Sequence, residues 1–237
     1  MTDAAQQPIV VIDHAEYAIS AASPKTIQLG QDGACLVFTV RPGDVAPYDR
    51  IRSRGYERAE LIRLRAFPFG KTTTISFRQY IAPGSKAASN RPAIIGQIHN
   101  TGGQTARPQP FVAMQVVGEK QRIITFSGGG TQEVRKSAVR WEDPVVTGRW
   151  VDWIWAFKPD RTETSLQVWR DGVQLFPNAL NLGGYDGPRG PYWQFGIYRP
   201  QDLSMMRVGY ANVTTHLPAL DAHRRKATNN CSVDKLK

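Results

Sequence analysis

The sequence predicts an all-β fold: a sandwich or jelly roll of two large stacked antiparallel sheets with few short helices. Three observations lead there. Short segments rich in Val, Ile, Phe, Trp and Thr recur along the 237 residues, separated by Gly, Pro, Asn and Asp. Several alternate with a period close to two, clearest in Trp150-Val151-Asp152-Trp153-Ile154-Trp155-Ala156-Phe157 and Ser165-Leu166-Gln167-Val168-Trp169-Arg170, the pattern of a strand with one buried face. There is no βαβ alternation, and many strands with turn punctuation and little helix fit stacked sheets.

In chain order, strands are expected over 9–12, 25–29, 34–40, 57–65, 72–80, 93–99, 111–117 and 121–126, then over 150–158, 164–170, 173–176, 192–199 and 206–214. Asp171-Gly172 between two apolar runs is a hairpin signal, because both residues tolerate the positive φ of a tight turn. Residues 131–140 and 218–227 are each expected to hold a short helix. Loops are expected over 82–91, 100–110, 127–131 and 181–191. Gly128-Gly129-Gly130 lacks the Gly-Lys-Ser/Thr ending of a phosphate loop and reads as a turn. The expected division is one domain over 1–217 and a polar, basic tail over 218–237.

Composition narrows the function. Hydrophobic residues make up 41% of the chain, enough for a core, and no apolar run approaches the roughly 20 residues of a membrane-spanning helix. Lys and Arg number 30 against 20 Asp and Glu, a net charge of +10 that favours polyanionic partners. Arg50, Arg52, Arg54, Arg58, Arg63 and Arg65 are the densest run. A nucleic-acid binder would interleave aromatic and basic residues in a recognisable motif, and none is present. Met1–Val10 lacks a basic segment followed by an apolar one. The protein is therefore expected to be secreted or periplasmic with its leader outside this sequence, or else cytoplasmic. Cys35 lies in an apolar strand and reads as a small buried thiol. Pairing with Cys231 is the lesser expectation, and neither cysteine has the spacing of a zinc site.

Three strands carry residues able to do chemistry. On 93–99, Gln97 and His99 share one face and residues 94, 96 and 98 are expected to face the core; the bland alternative is a structural histidine at a sheet edge. On 57–65, Arg58 and Glu60 share a face, where the carboxylate would orient the guanidinium; the alternative is an ordinary surface ion pair. On 192–199, Trp193, Phe195 and Ile197 read as core, opposite Tyr192, Gln194, Gly196 and Tyr198. Gly196 leaves room for a ligand beside the backbone. His14, His216 and His223 have no comparable setting.

Arg58-Ala59-Glu60-Leu61, Gln97-Ile98-His99 and Tyr192-Trp193-Gln194-Phe195-Gly196-Ile197-Tyr198, in this order, resemble the motifs of jelly-roll polysaccharide lyases. These are the family 7 alginate lyases, the heparin lyase I-like enzymes and the glucuronan lyases. The resemblance spans about residues 48–214, and Gly148-Arg149-Trp150-Val151-Asp152 resembles the heparin-lyase-like branch. It implies a concanavalin-like jelly roll that cleaves a 4-linked uronate polymer by β-elimination. Arg58 and Gln97, with Asn100 as a further candidate, would neutralise the uronate carboxylate. His99 and Tyr198 would be base and acid, or Tyr198 would serve both steps when the C5 proton and leaving group share a face. Arg54, Arg63, Arg78, Arg107 and Arg199 are candidate subsite cations, and Tyr80 and Tyr192 candidate platforms for sugar rings. Gln194 stands where the family pattern has Lys, so it is a candidate substrate contact without that cation. No cofactor is required; a structural Ca²⁺ occurs in some relatives, but no calcium-loop spacing is found here. The partner implied is an acidic polysaccharide bound by a monomer, with no nucleic acid or membrane partner. The compact length favours an unsulfated polyuronate, glucuronan before alginate and both before heparin-type chains. The competing class is a non-catalytic jelly roll that binds acidic polysaccharides. A glycoside hydrolase would need two facing carboxylates, and no such pattern appears.

Overall fold

The computed structural model describes residues 8–30, 35–51, 55–88, 90–101, 110–127, 136–185 and 187–215. Its strands are β1 (Ile9–Ile12), β2 (Ala15–Ala21), β3 (Ile27–Leu29), β4 (Cys35–Val40), β5 (Tyr56–Arg63), β6 (Thr73–Ile81), β7 (Ala93–His99) and β8 (Pro110–Val117). They continue as β9 (Lys120–Ser127), β10 (Lys136–Pro144), β11 (Trp150–Lys158), β12 (Ser165–Arg170), β13 (Val173–Gln174), β14 (Leu180–Asn181), β15 (Tyr192–Pro200) and β16 (Met206–Thr214). One short helix, α1 (Pro47–Ile51), lies between β4 and β5.

Two large antiparallel sheets result, as the alternation predicts. The first has the order β1-β2-β5-β15-β7-β8-β9-β10, the second β13-β12-β11-β6-β16-β4-β3, with β14 paired to β12. The sheets face each other through inward side chains, among them Phe38, Leu61, Phe77, Trp153, Trp155, Trp193, Phe195 and Tyr210. Trp193 meets Trp155 edge-on at 5.1 Å and Phe195 meets Tyr210 at 5.0 Å, so aromatic rings from both sheets interlock at the centre. β12 and β13 join through Asp171 and Gly172 with φ of 49° and 80°, the tight hairpin expected.

Some elements differ from expectation. Residues 136–140 belong to β10 rather than to a helix, because β9 offers a ladder partner along its length. Residues 131–135 and the helix expected over 218–227 lie outside the described residues. β2, with three Ala among its seven residues, carries little β-propensity and forms because β1 and β5 pair with it on both sides. On β7 the register with β8 slips between Ile94 and Gly96, which turns Ile95 rather than Ile94 into the core. Cys35 is disulfide-bonded rather than a free thiol. The chain's only other cysteine, Cys231, lies outside the described residues.

Candidate active site

β5, β15 and β7 are neighbours in the first sheet, and their register assembles the three motifs. Tyr198 lies opposite Arg58 and Gly196 opposite Glu60 on one side of β15. Gln194 lies opposite Gln97 and Tyr192 opposite His99 on the other. The alternate residues of β15, Trp193, Phe195 and Ile197, are fully buried between the sheets. Period two thus puts Tyr192, Gln194 and Tyr198 on the face away from the core. The register slips between Phe195 and Tyr198, however, and a Cβ on Gly196 would point at Phe38 between the sheets, so this glycine leaves no room for a ligand on the site face.

A connected row of polar side chains crosses this face. Arg58 Nε is 2.9 Å from Asp49 Oδ2, and its Nη2 donates to Asp49 Oδ1 at 3.3 Å. Arg58 Nη1 lies 3.5 Å from Glu60 Oε2. Gln97 Nε2 donates to Glu60 Oε1 at 2.9 Å and to Gln194 Oε1 at 2.7 Å. Burial opposes the Arg58 charge, but Glu60 and Asp49 outweigh it, so its pKa is raised. Burial raises the Glu60 pKa, with Arg58 and Gln97 acting against that rise. Arg58 is therefore a fixed cation whose orientation two carboxylates determine.

The aromatic groups sit at either end of the row. The Arg58 guanidinium lies 4.2 Å from the centre of the Tyr198 ring, which also stacks on Tyr56 at 4.8 Å. Burial pushes the Tyr198 phenol up from 10.0 to about 12, although Arg58 pulls the other way. Tyr192 is also pushed up to about 12, by burial first and then by Glu60. Both are protonated at neutral pH and suited to donate. His99 Nδ1 lies 2.8 Å from the Asn100 carbonyl and 3.3 Å from Tyr192 Oη. A carbonyl only accepts, so Nδ1 carries the proton and Nε2 is the basic nitrogen.

Of the residues singled out in sequence, Arg58, Gln97, His99, Asn100, Tyr192, Gln194 and Tyr198 come together here. Four others do not. Arg199 is on the core-facing side of β15, buried in an ion pair with Glu57 at 2.8 Å. Arg63 shares the core-facing parity of Leu61, and its guanidinium lies 4.8 Å from the centre of the Phe67 ring. Arg78 and Tyr80 belong to β6 in the other sheet, on the face opposite Phe77 and Ile81. There Arg78 pairs with Asp152 at 2.9 Å, and Tyr80 packs with Val37, Ala82 and Trp150. Arg54 and Arg107 lie outside the described residues. Asp49 was not legible in sequence: an acidic residue in a Pro-Tyr-Asp turn gives no sign that it will be buried on a guanidinium nine residues away. Tyr56 was likewise missed, though its parity with Arg58 and Glu60 could have marked it.

The family model described as polysaccharide lyase matches residues 18–216. No curated protein sequence matches the chain. Among solved structures, an endo-β-1,4-glucuronan lyase from the fungus Trichoderma reesei is similar, with a TM-score of 0.64 at 14% identity over 93% of this chain and 94% of that one. An alginate lyase from Pseudomonas aeruginosa gives a TM-score of 0.59 at 15% identity over 85% and 98%. One from Klebsiella pneumoniae gives 0.57 at 12% over 82% and 85%. These likenesses show a shared jelly-roll fold. Together with a family match that takes in β5, β7 and β15, they establish that this chain belongs to the polysaccharide lyase family.

Proposed function

We propose that the protein cleaves an unsulfated 4-linked polyuronate by β-elimination, glucuronan in preference to alginate, leaving an unsaturated uronate end. The observation that carries this reading is the register of β5, β15 and β7, which sets a fixed guanidinium, a pair of amides, an imidazole and two protonated phenols on one face. β-Elimination needs a group that neutralises the carboxylate, a base and an acid. The C5 proton lies α to a carboxylate, and its removal builds a second negative charge that must be neutralised. Arg58, backed by Asp49 and Glu60, and the Gln97–Gln194 amide pair meet that need. His99, protonated on Nδ1, offers Nε2 as the base. Tyr198, a phenol with a raised pKa beside Arg58, gives its proton to the leaving glycosidic oxygen. When the C5 proton and the leaving oxygen share a face, Tyr198 serves both steps and His99 assists in neutralisation. Every charge in this scheme is handled by a side chain, so no metal or cofactor is assigned a step. The structural similarity to a glucuronan lyase, which covers 93% of this chain and 94% of that one, supports the order of substrates. The disulfide at Cys35 supports an oxidising compartment, as for a secreted or periplasmic enzyme.

One contact favours a second assignment of the acid. Tyr192 Oη, not Tyr198 Oη, is the phenol beside the His99 ring, and Tyr192 is also protonated. Ultraviolet absorbance of unsaturated uronate ends, followed on glucuronan, alginate, heparin and hyaluronan, tests the function. A rise on glucuronan or alginate is expected, and no rise on any of the four would refute the lyase reading. Tyr198→Phe and Tyr192→Phe then identify the acid: its loss lowers kcat by about 10²–10⁴-fold, while the other variant alters mainly KM. Full activity in both, and in His99→Ala, would overturn the site.

A further inference from the structure

Tyr198 stands at an irregular point of its sheet. The ladder between β15 and β7 shifts register between Phe195 and Tyr198, and such a bulge re-aims the side chains beside it. On the other side of β15 the pairing is regular: Tyr198 lies opposite Arg58 and Pro200 opposite Tyr56. Tyr56 and Arg58 are two positions apart on β5, so they share one face. Both touch the Tyr198 ring. The half-buried Tyr56 ring stacks on it with centroids 4.8 Å apart and planes 20° from parallel. The Arg58 guanidinium lies 4.2 Å from its centre and is itself held by Asp49 and Glu60. Arg58 has a task in the chemistry outlined above, whereas Tyr56 enters no step of it.

A tyrosine hydroxyl sits at the far end of its ring, so a turn about χ1 sweeps the oxygen through a wide arc. Proton transfer needs that oxygen within about 2.6–3.2 Å of its target. A flat partner parallel to the ring opposes the turn, because a stacked pair loses contact as soon as one ring swings away. We propose that Tyr56 is a positioning residue of the elimination, whose ring stacks on Tyr198 and holds the Tyr198 hydroxyl at the leaving glycosidic oxygen. This rests on the β-elimination reading above with Tyr198 as the acid, and adds a residue that works through the acid rather than on the sugar. The flat ring of Tyr56 is the working part, and its own hydroxyl takes none. Placement of the acid matters when the proton moves rather than when the polymer binds, so its loss lowers kcat and leaves KM in place.

A double-mutant cycle tests this on the polymer that the wild type cleaves, with initial rates read from the absorbance of unsaturated uronate ends and expressed per folded molecule. Tyr56→Leu removes the flat ring and is expected to lower kcat by about 10–100-fold, the scale of a misplacement of about 1 Å, with KM little changed. Tyr56→Met, unbranched and of similar reach, serves the same purpose should Tyr56→Leu not fold. Tyr56→Phe keeps the ring and is expected to restore kcat. In a Tyr198→Phe background no hydroxyl is left to place, so Tyr56→Leu is expected to add little to the loss already present. A merely structural role would instead lower the rate equally in both backgrounds, and that result would overturn the proposal. So would wild-type kcat in Tyr56→Leu, a rise in KM alone, or a loss in Tyr56→Phe as deep as in Tyr56→Leu. Were Tyr192 the acid, the first of these three would follow. Absence of any absorbance rise with the wild type would sink the lyase reading and this proposal with it, whereas wild-type cleavage accompanied by any of the other results sinks this proposal alone.

Discussion

Gly196→Ala is the substitution whose consequences run furthest from backbone to chemistry. Gly196 lies in β15 directly opposite Glu60 with a φ of +130°, a conformation that L side chains rarely adopt. A Cβ there would meet Phe38 Cδ1 and Glu60 Cα, each at 2.8 Å, and would overlap the Ala59 carbonyl oxygen. Two of these three contacts are backbone of β5, which cannot rotate aside as a side chain can. Backbone strain of this kind costs about 1–3 kcal/mol. Overpacking against a filled core costs about 1–3 kcal/mol more. A total near 4 kcal/mol lowers Tm by about 8–16 °C in a domain of this size. The displaced strand carries Arg58 and Glu60, so the site moves with it. Misplacement of about 1 Å is expected to lower kcat/KM by about 100-fold in the protein that remains folded. Thermal unfolding and the absorbance assay on one preparation measure both quantities. A Tm within about 2 °C of wild type, which corresponds to less than about 1 kcal/mol, together with unchanged kcat/KM, would refute the reasoning.

Three further outcomes are expected. Asp49→Asn removes the charge that orients Arg58 while keeping its shape; kcat/KM should fall by at least about tenfold, the worth of a charged hydrogen bond, with far-ultraviolet circular dichroism unchanged, and wild-type kinetics would contradict this. Arg199→Met leaves Glu57 buried without its partner and should cost about 3–5 kcal/mol in a denaturant titration; activity per folded molecule should hold, and a selective rise in KM would instead return Arg199 to the substrate's path. Stability should decline as pH rises from 10 toward 12. Tyr17, Tyr192 and Tyr198 are each pushed up from 10.0 to about 12 by burial, so the unfolded chain gives up these protons first. A Tm that is flat from pH 9 through 12, a range set by these shifts, would argue against their burial.

The sequence by itself determined the layers and the faces. Period two separates Trp193, Phe195 and Ile197 from Tyr192, Gln194 and Tyr198 before any coordinate is known, because alternation is a property of the extended backbone. Residue order likewise brought Arg58, Gln97, His99 and Tyr198 into a single hypothesis. Tertiary structure decided everything that depends on which strand lies beside which. Arg78 and Tyr80 have the alternation of site residues, yet β6 belongs to the other sheet. Arg199 is next to Tyr198 in sequence, and that adjacency is what turns it inward to Glu57. Asp49 reaches Arg58 only because α1 folds against β5. The direction of the Gln97–Gln194 bond follows from Glu60, one strand further away. Local pattern encodes the side of a sheet on which a residue stands. Partners across strands are set by long-range register, which no short stretch of sequence contains.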